Sequence, residues 1–161
     1  MEIQENWPEI RQHFRNSFST NFHVSIASVD ENQMPTVTPI GSLFLNRDQS
    51  GFYFEKFPTK LPNTNITNKN ICVLIVNSGT LFWLKALFVG KFKSYPAIKL
   101  YGQLGEKRMA TEVEIKRLKA RMRITRWLKG NNYLWGTMDV VRDITFTNGE
   151  IINLGKMTKG L

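Results

Sequence analysis

The sequence predicts a mainly β domain of the α+β kind: an antiparallel barrel of six or seven strands with helical additions. Three observations carry that prediction. Between residues 22 and 57, apolar–polar alternation is broken by short polar turns at about ten-residue spacing, which describes an antiparallel meander. Two segments, 2–18 and 110–129, repeat apolar residues with helical spacing instead. At 161 residues and 42% hydrophobic, the chain can bury one sizeable core, so residues 1–161 are expected to form a single domain.

In chain order, Ile3, Trp7, Ile10, Phe14 and Phe18 make one apolar stripe of an N-terminal helix. Asn6, Pro8 and Glu9 have the form of a capping box with proline in the first turn, which places the stable start near Pro8. "FHVSIASV" (22–29) then sets Phe22, Val24, Ile26 and Ser28 on one strand face. "DENQMP" turns into a second strand, "TVTPIGSLFLN" (36–46), interrupted by Pro39 and Gly41. A central strand would lose a ladder hydrogen bond at Pro39, so a bulge or a sheet edge is expected there. "FYFEKF" (52–57) is the third strand and "ICVLIV" (71–76) a buried one. "TLFWLKALFVGKF" (80–92), rich in aromatics, reads as strand, and "AIKLYGQLG" (97–105) as another. Thr111 and Glu114 form a second capping box, opening the long helix whose apolar side carries Val113, Ile115, Leu118 and Met122. Two last strands flank a "TNGE" turn at 147–150.

The formal charge is +9, and nine of the 22 basic residues fall between Lys107 and Lys129. That concentration predicts one solvated helical face, so nucleic acid is not the expected partner and an anionic ligand is favoured over it. The single Cys72 lies within "ICVLIV", cannot form an intrachain disulfide and reads as a small buried hydrophobe. No apolar run reaches spanning length, and "MEIQENWPEI" has no basic leader, so a cytoplasmic protein without a membrane partner is expected. With only His13, His23 and one cysteine, no zinc-site spacing exists, and both histidines read as structural. The chain has no G-x-S-x-G elbow, Walker loop or G-x-G-x-x-G turn. A chain so short of acid–base machinery is suited to borrowing its reactivity from a cofactor.

The segment "FYFEKFPTKLPNTNITNKN" (52–70) supplies what a phosphate needs. Thr59 offers a hydroxyl, Lys60 a point charge, and Asn63, Thr64 and Asn65 stand where a short helix could begin with free N–H groups. The alternative reading is a solvated turn in which one of these residues is simply an N-cap.

The order of "DENQMPTVTPIG", "FYFEK", "PTKLPNTNITNKN" and "IKLYGQLG" resembles the FMN-binding split-barrel family related to pyridoxamine 5'-phosphate oxidase, from about residue 20 to residue 147. The resemblance implies a homodimer with FMN in a groove between subunits. Val37, Thr38, Pro39 and Ile40 would line the isoalloxazine ring, and Phe54, Glu55 and Lys56 would follow the ring and ribityl chain. Thr59 and Lys60 would bind the phosphate, with Asn63 and Thr64 as further donors. Trp135 or Trp127 would come from the other subunit to shield the ring. Two departures stand out. The family's second cation in the phosphate turn is replaced by Leu61 and Pro62, and "NLGKMTKGL" lacks the Arg-rich substrate segment of the authentic oxidase. The resemblance therefore implies an FMN-dependent oxidoreductase of unassigned small-molecule substrate, with NAD(P)H as candidate donor, rather than a pyridoxamine phosphate oxidase. A non-catalytic module holding flavin, a deazaflavin or haem on the same barrel is the alternative. No catalytic residue and no metal are assigned.

Overall fold

Seven antiparallel strands form one sheet, and the chain's own connectivity forces that sheet to curl. The computed structural model describes residues 1–56, 61, 68–125 and 127–161. The strands are β1 (Val24–Val29), β2 (Pro35–Ile40), β3 (Leu43–Leu45), β4 (Ser50–Phe54), β5 (Asn70–Val76), β6 (Ala97–Met109) and β7 (Val140–Ile151). Their order is β2-β1-β5-β6-β7-β4-β3, so β2 and β3 lie at opposite edges. Yet only Gly41 and Ser42 separate them in sequence. Laid flat, seven strands would hold the edges about 29 Å apart, whereas the Ile40–Leu43 segment reaches at most about 11 Å. The sheet must roll until its edges nearly meet. Register shifts in the β6–β7 ladder after Tyr101 and Leu104 bend it further. At the first shift a Cβ on Gly102 would lie 2.4 Å from the Thr145 carbonyl, so only glycine allows the strands to close there.

The inside of the curl is filled by helix α1 (Ile3–Asn21). Ile3, Trp7, Ile10 and Phe14 pack with Val24, Ile26, Val73, Ile75, Ile98 and Leu100. Trp7 Nε1 donates to the Asn46 carbonyl at 2.9 Å, anchoring the helix to the β3–β4 turn. A second cluster, on Phe44, Phe52, Phe54, Leu118 and Val141, lies under helix α3 (Glu112–Arg121). The Thr111–Glu114 capping box opens that helix as expected, with both reciprocal bonds present.

Several expectations are corrected. Residues 80–92 are not a strand: Thr80–Val89 is a helix, α2, closed by Gly90 at φ 73°. Its apolar residues run without a period, and leucine and alanine tip such a run toward helix. Helix α1 begins at Ile3, not near Pro8, because Pro8 forfeits a single bond in its second turn while Asn6 donates to the Glu2 carbonyl at 2.8 Å. Phe22 is not on the β1 face; it caps α1 in the left-handed region and is 77% exposed. The long helix is interrupted: α3 ends at Arg121, a 3₁₀ turn covers Met122–Thr125, and α4 spans Lys129–Trp135. Val113 faces solvent rather than the core. The "TNGE" segment makes no hairpin, since β7 runs unbroken through it with the bulge at Thr147. Cys72 is half-buried on β5. His13 is buried, with Nε2 3.3 Å from the Ile75 carbonyl.

Candidate functional site

The two-residue crossover between the edge strands and the end of β4 face each other across a pocket of about 220 Å³. One wall is Pro39, Ile40, Gly41 and Ser42; the other is Tyr53, Phe54, Glu55 and Lys56. Ser42 Oγ donates to the Phe54 carbonyl at 3.0 Å and ties the walls together. Leu134, Trp135 and Met138 close the third side, from the end of α4 and the segment that follows. The Trp135 ring reaches the crossover only because residue 41 has no side chain. A Cβ there would sit 3.1 Å from Trp135 Cη2 and 3.2 Å from the Phe22 carbonyl.

Pro39 is placed where its missing N–H is tolerable, because among the described residues β2 pairs with β1 alone and stands at the sheet edge. The crossover is held from behind by Arg121. Its Nη1 donates to the Leu43 carbonyl at 2.5 Å and lies 3.5 Å from that of Gly41. Its guanidinium stacks 3.5 Å from the Phe44 ring centroid and 4.4 Å from that of Phe18. Burial, helped by the nearby Arg117 charge, pulls the Arg121 pKa down to about 9.

Glu55 is the pocket's carboxylate, and its charge is already committed. Arg142 Nε donates to Oε2 at 2.7 Å, Lys107 Nζ lies 3.2 Å from Oε1, and the Tyr53 hydroxyl donates to Oε2 at 3.2 Å. Burial pushes the Glu55 carboxyl upward, but the hydrogen bonds and charges of Arg142 and Lys107 outweigh it and hold the group below the usual range. Burial, with the Glu55 charge beside it, drives the Tyr53 hydroxyl well above its ordinary value. Tyr53 is thus a neutral hydrogen-bond donor throughout the physiological range. Lys56 Nζ donates to the Tyr133 carbonyl and sits 5.7 Å from that ring's centroid, at the pocket rim.

Of the residues expected from the sequence, Pro39, Ile40, Phe54, Glu55 and Lys56 come together here. Val37 is exposed and Thr38 half-buried farther along β2, and neither lines the pocket. Thr59, Lys60, Asn63 and Thr64 lie outside the described residues. Gly41, Ser42 and Tyr53 escaped sequence reasoning, although the Pro39–Gly41 interruption already marked the place. Trp135, expected from a second subunit, lines the pocket of its own chain, and Trp127 does not line it. Leu61, read as a missing phosphate cation, is a fully buried member of the main core. A side chain in that position is needed for packing, and lysine could not serve there.

The basic run does not form one solvated face. Arg117 lies over Phe44 and Phe52, Arg121 is turned inward, and Arg108 is held by Glu114 and Asp143. Lys107, Lys116, Lys119, Arg123 and Lys129 of the same run remain exposed.

No protein-family model matches the sequence, and no curated protein matches it significantly. Solved structures share its architecture. An FMN-binding protein from Syntrophomonas wolfei subsp. wolfei superposes with TM-score 0.60 at 14% identity, over 96% of this chain and 97% of its own. A Clostridium acetobutylicum protein of the pyridoxinephosphate oxidase family, related to general stress protein 26, gives 0.53 at 14% identity over 93% and 89%. The heme storage protein HutZ of Vibrio cholerae gives 0.54 at 11% identity over 94% and 95%. At these identities the likeness is one of fold, and the fold it establishes is the antiparallel split barrel of FMN-binding and pyridoxamine phosphate oxidase-type proteins that the sequence resemblance implied.

Proposed function

We propose that this chain binds FMN in the pocket between the Gly41–Ser42 crossover and the end of β4, and uses it for redox chemistry on a small molecule. The observation that carries the reading is the convergence of Pro39, Ile40, Phe54, Glu55 and Lys56 on one wall system of a split barrel. The walls suit a flat, partly polar ring. Ile40, Tyr53 and Phe54 give apolar surface, the edge strand β2 offers backbone groups, and Trp135 over Gly41 gives an aromatic side. When bound, FMN supplies transfer of hydride or electrons that none of the protein's side chains can perform. The protein's part is to hold and orient the ring and to exclude water. Lys56, with Thr59, Lys60, Asn63 and Thr64 from the following segment, would serve the phosphate.

A homodimer belongs to the same proposal. The pocket volume of about 220 Å³ is below the roughly 300–1,000 Å³ usual for ligands of this size. That size supports a site which one chain would provide in part and a second subunit would complete. NAD(P)H is the candidate electron donor.

Storage of haem or flavin without turnover is a second reading, supported by the fold shared with a heme storage protein and by a pocket carboxylate locked in ion pairs. Titration of purified protein with FMN and separately with hemin, followed by an NAD(P)H turnover assay, separates the readings. FMN binding with turnover supports the first; hemin binding with no FMN uptake overturns it. Lys60→Ala is expected to weaken FMN binding about tenfold without changing the unfolding midpoint. Unchanged affinity removes Lys60 as a phosphate ligand.

A further inference from the structure

Helix α2 (Thr80–Val89) carries apolar residues on every side, with Lys85 as its one charged residue, yet only one side of it is covered. Phe82 and Trp83 pack against Phe92, at 5.4 and 5.1 Å between ring centroids, and Ala86 is buried. Trp83 Nε1 donates to the Asn77 carbonyl at 2.7 Å, which fixes the inner face. The outer face carries Leu81 (83% exposed), Leu84, Leu87, Phe88 (94% exposed) and Val89. Scattered exposed hydrophobics are ordinary, but five large ones on one ten-residue helix form a contiguous patch.

The surroundings identify what the patch suits. Lys85, Lys91 and Lys93 line the groove beside it with Phe82 and Val89. The Phe92 N–H donates to the Met157 carbonyl at 2.9 Å, which brings the last turn of the chain, carrying Lys156 and Lys159, alongside the segment that follows the helix. From Lys56 to Gly105 the sequence contains no Asp or Glu, and none follows Glu150. An apolar ridge bordered by Lys85, Lys91 and Lys93, in a stretch of sequence that carries no Asp or Glu, is complementary to a surface that is apolar inside and anionic outside. An isologous contact between two copies would instead set one lysine border against another.

We infer that α2 is a surface anchor that lies in the headgroup region of an anionic lipid bilayer. The helix is about 15 Å long, half the hydrocarbon thickness of about 30 Å, so it cannot cross. None of the described helices is long and apolar enough to span a membrane. The sequence-level expectation of no membrane partner rested on run length, and run length speaks only to spanning segments. Leu81, Leu84 and Phe88 enter the acyl boundary, and Lys85 extends its ammonium back to the phosphates.

Flotation of the full chain with phosphatidylcholine–phosphatidylglycerol vesicles, against phosphatidylcholine alone, tests this without reference to flavin. Binding is expected to the anionic vesicles, weakening as salt rises. The double variant Leu84→Gln/Phe88→Gln should bind at least about tenfold more weakly. The triple variant Lys85→Gln/Lys91→Gln/Lys93→Gln should lose on the order of a hundredfold. Both sets of side chains are exposed, so unfolding midpoints should match the parent protein. No flotation of the parent chain with anionic vesicles overturns the inference, as does undiminished flotation of both variants. Sedimentation equilibrium showing that Leu84→Gln/Phe88→Gln turns a dimer into a monomer, with no vesicle binding by the parent, overturns it by assigning the patch to a second copy.

Discussion

Replacing Glu55 with glutamine should destabilise the flavin-free protein severely, for a reason visible in the pocket wall. The Glu55 and Arg142 side chains are 6% and 7% exposed and joined at 2.7 Å. Arg142 also donates to the Gly105 carbonyl at 3.3 Å, and its burial leaves the guanidinium without solvent to replace a lost counter-charge. Removing one partner of a buried pair costs about 3–5 kcal/mol, and glutamine, which keeps the shape and one acceptor, should fall at the lower end, about 3 kcal/mol. For a chain of this size that lowers Tm by about 6–12 °C. Lys107 provides the control. It touches the same carboxylate but is 55% exposed, so Lys107→Ala should cost only about 0–1 kcal/mol. Glu55→Gln/Arg142→Met, with both charges gone, should recover much of the loss. Urea unfolding of the four proteins at neutral pH measures all of this. Acid titration adds a sign. A carboxyl held below its ordinary range contributes stability above that range and loses it as pH falls through the folded value, so the parent should lose stability in acid faster than Glu55→Gln. A Glu55→Gln loss within 1 kcal/mol of the parent, or an equal loss from Lys107→Ala, would refute the assignment of Glu55 to a buried pair.

Two further outcomes follow from the same geometry. Gly41→Val adds atoms where a Cβ already lies 3.1 Å from Trp135 Cη2, so the indole that closes one side of the pocket must be displaced. FMN affinity should fall at least about tenfold, with a changed tryptophan emission, and unaltered affinity would place the flavin elsewhere. Glu114, held by Arg108 against an opposing burial effect, has its pKa lowered to about 2. Its contribution should be complete above about pH 4.5 and disappear as pH falls toward 2, on the order of 2–3 kcal/mol, so Glu114→Gln should show a flatter acid limb in thermal melts.

Much of the barrel was legible because its strands carry their own signals. Alternation in β1, the short apolar runs of β4 and β5, the Thr111–Glu114 box and the α1 stripe depend on neighbours a few residues apart, and each formed near its expected place. Residues 80–92 failed the same test. A run that is apolar on nearly every side has no period to read, and the helix preference of its leucines and alanine, with docking through Phe82, Trp83 and Ala86, decided the outcome. The site divides similarly. Pro39 and Gly41 announced an edge, and Phe54 to Lys56 stood at a strand exit, so both walls could be named from local chemistry. Their meeting could not. It depends on a two-residue crossover between opposite sheet edges, a constraint that exists only once β6, β7 and β4 have filled the space between them. The charged partners of Glu55 are 52 and 87 residues away in the chain, at Lys107 and Arg142, and Leu61 turned from a missing cation into a core residue. Local sequence therefore set which segments extend, coil or turn. Tertiary packing decided which charges are buried together, because desolvation depends on everything that surrounds a group and not on its neighbours in sequence.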